Sequence, residues 1–154
     1  VKFSVMTQVE AEEVAEWKYP PPYDFYDMTA DEEDLEELLS PEKRGSHTYS
    51  VRENEQLVGF FTFSLLEDHM MEIGLGLHPD WTGKGVGDQF VEEGLQYAIS
   101  TWQVNGFVLA VALFNQRAIR VYERLGFKKV EEFQQPTNGS VYDFVKMSKQ
   151  VTSM

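Results

Sequence analysis

A chain of 154 residues that is 42% hydrophobic and 14% aromatic can bury the core of one domain over residues 1–154, and is too apolar for a disordered tail. It has no cysteine, which excludes disulfides, thiolate zinc sites and cysteine nucleophiles. Its 26 acidic against 13 basic side chains, a net charge of −13, argue against nucleic-acid binding and favour cationic partners at long range.

Lys2 to Val5 alternates and predicts a first strand. Its flanks lack the basic and long apolar stretches of a signal peptide, and no later run is long enough to span a bilayer. The cytoplasm is the expected location, with no membrane partner. Thr7 to Trp17 reads as a first helix. Tyr19-Pro20-Pro21-Pro22-Tyr23-Asp24-Phe25-Tyr26 follows, and three prolines forbid a helix interior and favour an extended or polyproline loop. Asp31 to Leu39 predicts a second helix, ended by Pro41. Residues 1–50 hold 13 of the acids and only 4 bases, so this front third carries the negative charge.

Thr48 to Arg52 and Leu57 to Leu66 read as strands around the polar turn Glu53–Gln56, and Met70 to Leu77 as another, stopped by Pro79. Gly85 to Trp102 has helical spacing, with Val86, Phe90, Val91, Leu95, Ala98, Ile99 and Trp102 near one face. Phe107 to Leu113 is the continuous apolar run of a strand buried on both sides. Asn115 suits the cap of a last helix that stops at Gly126. Phe127 to Phe133 and Val141 to Met147 alternate as an antiparallel pair joined through Pro136–Gly139. The order β-α-α-β-β-β-α-β-α-β-β predicts an α/β chain of α+β type, with a mixed, mostly antiparallel sheet and helices on both faces. The right-handed crossover through the long helix makes the strand ending at Leu77 and the strand at 107–113 parallel neighbours.

Two segments carry chemistry. In the first, a strand runs into Thr82-Gly83-Lys84-Gly85-Val86-Gly87-Asp88 and then into a helix. Glycines let the backbone turn through positive φ, and free N–H groups at the helix start face an anion. A phosphate or pyrophosphate is the natural guest. The same glycines also suit a tight strand-to-helix turn that holds nothing. The dinucleotide fingerprint and the Walker pattern both fail on this stretch. In the second, Asn115, Ala118, Ile119 and Tyr122 fall along one side of a helix, and small Ala118 leaves room beside an amide and a phenol. An N-cap asparagine and a core tyrosine are the plainer account of the same residues. The three histidines, His47, His69 and His78, are too dispersed for a metal site, and no metal is expected.

Together these segments resemble the GCN5-related N-acetyltransferase (GNAT) family. Its acetyl-CoA motif, Gln/Arg-x-x-Gly-x-Gly/Ala, maps onto Thr82 to Gly87, with Thr82 in place of the usual Arg or Gln. Its later motif, Asn-x-x-Ala-x-x-x-Tyr-x-x-x-Gly-Phe, is met by Asn115, Ala118, Tyr122, Gly126 and Phe127. The resemblance covers roughly Val51 to Met147. It implies the GNAT fold with a splayed parallel strand pair, and acetyl-CoA as co-substrate, with no metal. Transfer of the acetyl group to a primary amine then runs directly, in a ternary complex.

The resemblance places the pyrophosphate on backbone N–H groups around Gly83 to Asp88, with Lys84 nearby, and the pantetheine arm along Leu75 and Leu77. Asn115 would hydrogen-bond that arm. Tyr122 would donate a proton to the departing sulfur, and Glu72, the only acid between Asp68 and Asp80, is the candidate base. Glu72 also reads simply as a solvated strand-end charge. Arg117, Arg120 and Arg124 border the groove, near the 3′-phosphate. The proline loop helps build the acceptor pocket, with Tyr23 and Tyr26 as candidate substrate contacts. Aromatics framed by acids suit an organic cation, a small-molecule or protein amine. The same aromatics could instead pin the loop to the body. A catalytically weak acyl-CoA sensor and a plain phosphate- or nucleotide-binding module are the competing functions, and a homodimer is among the open assembly states.

Overall fold

The first helix shows how local chemistry sets boundaries. Thr7 accepts the Glu10 N–H at 3.2 Å, and Glu10 Oε1 accepts the Thr7 N–H at 2.9 Å, a closed capping box. Helix α1 (Gln8–Ala15) follows strand β1 (Lys2–Val5). The computed structural model describes residues 1–151. Asp31 caps helix α2 (Glu32–Leu39) by accepting from Glu33 and Asp34. Pro41 does end α2, but it also opens a short helix α3 (Pro41–Arg44), of which the apolar spacing gives no sign. Ser40 caps it, and Pro at N1 forfeits no hydrogen bond.

Strands β2 (Thr48–Glu53), β3 (Gln56–Leu65) and β4 (Met70–Leu77) form a meander. Helix α4 (Gly87–Thr101) starts two residues later than its apolar spacing predicts, because Gly83 and Gly85 take φ of +72° and +77°, outside helical space. Ile99 is 38% exposed, so the buried face of α4 is narrower than expected. Strand β5 (Gly106–Ala112), helix α5 (Gln116–Arg124), and strands β6 (Lys128–Thr137) and β7 (Ser140–Gln150) complete the chain. The last hairpin is longer than expected. Pro136 sits inside β6, where an edge strand tolerates it, and the turn shrinks to Asn138-Gly139, both at positive φ.

The seven strands lie in the order β1-β2-β3-β4-β5-β7-β6. Every pairing is antiparallel except β4 with β5, which is parallel. The expected crossover and mixed sheet are thus present. Helices cover both faces, each over its own core. On one face α4 and α5 bring Phe90, Leu95 and Ile119 onto Phe61, Phe63 and Leu109. On the other, α1 and α2 bring Ala11, Val14 and Leu38 onto Leu57 and Phe60. Adjacent Phe60 and Phe61 serve opposite cores because successive strand side chains alternate.

Candidate functional site

The parallel pair holds for three residues only: Met70 with Gly106, Met71 with Phe107, and Glu72 with Val108. Beyond them β4 stays laddered to β3 as far as Gly59–Leu77, while β5 stays laddered to β7 as far as Ala112–Phe144. The two strands therefore part without either fraying. The β4 edge facing the gap is unladdered from Ile73 to Leu77, where the Leu77 carbonyl accepts from the Tyr19 hydroxyl instead.

A cavity lies on each side of this gap. The one on the α4–α5 face, about 200 Å³, runs from Gly83, Gly85, Gly87 and Asp88 to the gap. No side chain caps α4, whose N-cap residue is Val86. Its first N–H groups therefore meet the cavity unspent, with the positive end of the helix dipole behind them. A Cβ on Gly85 would meet nothing within 4 Å, so the space above the turn is open. Lys84 is exposed, and neither it nor Val86 lines a cavity. Asp88 is held by Arg124 through two hydrogen bonds of 2.7 and 2.6 Å, which offsets a carboxylate at the mouth of an anion site.

The second cavity, about 250 Å³, opens on the α1–α2 face between Trp17, Tyr19, Tyr23, Tyr26, Met28 and Phe60. The two cavities share Leu75, Leu77, Thr82, Asn115, Arg117, Ala118 and Tyr122. They meet where the strands part. Gly74 and Gly76 keep the floor of the second chamber low: a Cβ on Gly76 would sit 2.3 Å from a Phe60 ring carbon.

Asn115 holds this junction together. Its Oδ1 accepts the Ala118 N–H at 3.1 Å to cap α5, and its Nδ2 donates to the Tyr26 hydroxyl at 3.1 Å. One amide hydrogen is left over. The proline loop is tied down at several points besides. Asn138 donates to the Phe25 carbonyl at 2.7 Å, Phe25 packs edge-on to Phe114 and Tyr142, and the Tyr19 hydroxyl donates to the Leu77 carbonyl at 2.8 Å. The loop both pins itself and walls the chamber: Phe25 does the first, Tyr23 the second, and Tyr19 and Tyr26 both.

Residues 10–127 match the model of the Acetyltransferase (GNAT) family. This chain belongs to that family. It is 36% identical over 84 residues to a mycothiol acetyltransferase of Corynebacterium efficiens, a match covering 51% of this chain and 27% of that protein. The chain thus matches about a quarter of that curated relative's length. Among solved structures it shares its fold with a spermidine N-acetyltransferase from Vibrio cholerae in complex with CoA and spermine. That likeness has a TM-score of 0.76 and 19% identity, over 97% of this chain and 94% of the other. A GNAT-family acetyltransferase from Bacillus anthracis is similar in fold, with a TM-score of 0.73 at 18% identity over 96% and 93% of the two chains.

Within this GNAT frame, Tyr122 is 8% exposed and lines both cavities. Burial first, and the neighbouring Tyr26 second, push its phenol above the ordinary tyrosine value, so it stays protonated over the physiological range. Tyr26 is pushed up mainly by burial too. Thr82, where the family motif usually has Arg or Gln, spends its hydroxyl on the Pro79 carbonyl at 2.8 Å.

Glu72 is not brought to the site. It lies in the last paired rung, short of the gap, with an exposed side chain that lines neither cavity. Its neighbours Met71 and Ile73 are buried on the α4–α5 side, and alternation sends Glu72 to the other face. Among the described residues the second chamber has no carboxylate in its wall. Asp27 accepts from the Tyr19 backbone, and Asp31 from Thr137 and Asn138, so the acids that frame the loop brace it. Tyr19, Phe60 and Met28 were not singled out by spacing; only the fold brings them to Tyr122. No group of three or more acids and histidines among the described residues is arranged to hold a metal. No helix among them is long and apolar enough to cross a membrane.

Proposed function

We propose that this chain is an acetyl-CoA-dependent N-acetyltransferase acting on a primary amine by direct transfer in a ternary complex. The observation that carries the reading is the meeting of two cavities, one from each face of the sheet, at a gap lined by Tyr122. One cavity has the chemistry of an anion cradle, and the other offers aromatic faces to a cationic amine. Each reactant then enters from its own side.

Acetyl-CoA supplies the activated acetyl thioester. The chain's own part is to hold and orient. The N–H groups from Gly83 to Asp88 bind the pyrophosphate, and the unladdered β4 edge at Leu75 and Leu77 holds the pantetheine arm. Tyr122 keeps a proton at its hydroxyl beside the position of the sulfur. With its pKa raised above an ordinary thiol near ~8.5, full proton transfer to the thiolate is uphill, and Tyr122 acts chiefly by hydrogen-bonding the developing charge. Among the described residues no carboxylate lines the acceptor chamber, and on this reading the ammonium proton leaves to water before attack. The rate then rises with pH until the acceptor's own amine is neutral.

The test is a screen of primary amines with thiol release as readout, beside calorimetry with CoA and with ADP and ATP as controls. We expect tight CoA binding and turnover on at least one amine. CoA binding with no turnover on any amine supports the sensor instead. Equal binding of ADP, ATP and CoA supports the phosphate-binding module.

A further inference from the structure

We infer that Arg117 is the cation that clamps the CoA pyrophosphate in this chain, and that Tyr23 of the acceptor loop holds Arg117 in place. The inference rests on the acetyl-CoA site proposed above and adds its missing cation. It also makes the cofactor site depend on the acceptor loop.

The first observation is a vacancy in chemistry. Thr82 carries no charge to offer the pyrophosphate, and its hydroxyl is already donated to the Pro79 carbonyl. The second is a process of elimination among bases near the turn. Arg124 is neutralised by Asp88, and Lys84 and Arg120 line neither cavity. Arg117 remains, and it lines both cavities.

The third observation is its reach. Arg117 starts from α5, yet its Nη1 lies 3.5 Å from where a Cβ on Gly83 would sit. The guanidinium therefore hangs beside the glycine turn that leads into α4, in the wall of the same cavity as Gly85 and Gly87. The fourth is what holds it there. Its guanidinium carbon stands 4.1 Å from the centroid of the Tyr23 ring, and no carboxylate lies within ion-pairing distance among the described residues. A flat cation stacked on a ring is pre-ordered, with its N–H edge free for a phosphate oxygen. Tyr23 also walls the acceptor chamber. One side chain pair thus spans from the amine's chamber to the cofactor's anion, and whatever moves Tyr23 moves the clamp.

The experiment is calorimetric titration of the full chain with CoA and with dephospho-CoA, which keeps the pyrophosphate and lacks the 3′-phosphate. Arg117→Ala is expected to weaken both ligands by about 10- to 100-fold, the range of a charge-assisted hydrogen bond. Arg117→Lys keeps the charge and loses the stack, and recovers only part. Tyr23→Ala is expected to weaken both ligands about 3- to 10-fold, while Tyr23→Phe, which keeps the ring, restores binding. Arg117→Gln, with melting curves for every variant, guards against a folding defect. Wild-type protein that binds neither ligand sinks the cofactor-site reading and this inference with it. Wild-type binding with unchanged affinity in Arg117→Ala and Arg117→Gln overturns the inference and leaves the site standing. A loss seen for CoA and not for dephospho-CoA moves Arg117 to the 3′-phosphate and overturns it as well. Equal weakening in Tyr23→Ala and Tyr23→Phe removes the coupling to the acceptor loop.

Discussion

The two sides of the parted strands are built differently. The α4–α5 side is made of backbone: two left-handed glycines, an uncapped helix start and an unladdered strand edge. The α1–α2 side is made of side chains drawn from distant segments, Trp17, Tyr23, Met28 and Phe60 among them. A backbone site recognises what every such cofactor shares, its anion and its amide arm. A side-chain site recognises what differs between acceptors. The comparison teaches that substitutions should separate cleanly by side, except at the residues common to both.

Tyr122 is such a residue, and its removal should have the largest effect. Tyr122→Phe is expected to lower kcat by about 100-fold and leave CoA affinity nearly unchanged, because the hydroxyl acts as charge builds on sulfur. Full turnover in the Phe variant, on a good acceptor, would reduce Tyr122 to packing.

Gly76→Ala strikes the acceptor side. Its Cβ would sit 2.3 and 2.6 Å from two carbons of the buried Phe60 ring, which must move. We expect a loss of about 1–3 kcal/mol in stability and a raised acceptor KM, with CoA affinity held. A shift in CoA affinity larger than that in acceptor KM would break the division into sides.

Gly85→Val strikes the other side. The turn needs φ of +77°, which a β-branched residue resists. CoA affinity is expected to fall by about tenfold or more, with acceptor contacts spared. Calorimetry on folded variant protein decides it.

The smallest effect is one of pH, and it lies away from the site. Burial pushes the Glu10 carboxyl up, but the Thr7 N–H, Arg52 at 2.7 Å and Ser50 at 2.9 Å outweigh it and leave it below the ordinary glutamate value of 4.5. A lowered carboxyl stabilises the fold fully above that value, and the gain is lost as pH falls through the native one. Melting temperature should drop below about pH 4, and more shallowly in Glu10→Gln. An identical acid profile in the variant would remove Glu10 from the account.

Legibility in the sequence divides along the same line. The glycine turn and the Asn115-to-Phe127 pattern are short, and spacing on one helix or turn carries them. The parallel pair followed from the handedness of the crossover. The chamber was legible only as a loop with many aromatics, because its walls are set by contacts such as Tyr26 to Asn115, 89 residues apart. Nearness to the slot along the strand is what singles out Glu72 in the sequence. The alternation of Met71, Glu72 and Ile73 already carried the counter-argument, since flanking core residues turn the one between them outward. Helix α3 was hidden because Pro41 ends one helix and begins another with the same residue.

The parting of β4 from β5 makes the sheet behave like a zip fastener stopped after three teeth. Each further tooth closed would take about 3.3 Å from the slot. Nothing in the two strands individually prevents closure, since each is fully extended and ladders well on its outer side. What keeps the slider from advancing is bulk lodged in the opening, Tyr122 and Asn115 on one side and the aromatic loop on the other. The width of the slot is therefore set by its wedges, and packing there tunes reach as well as stability.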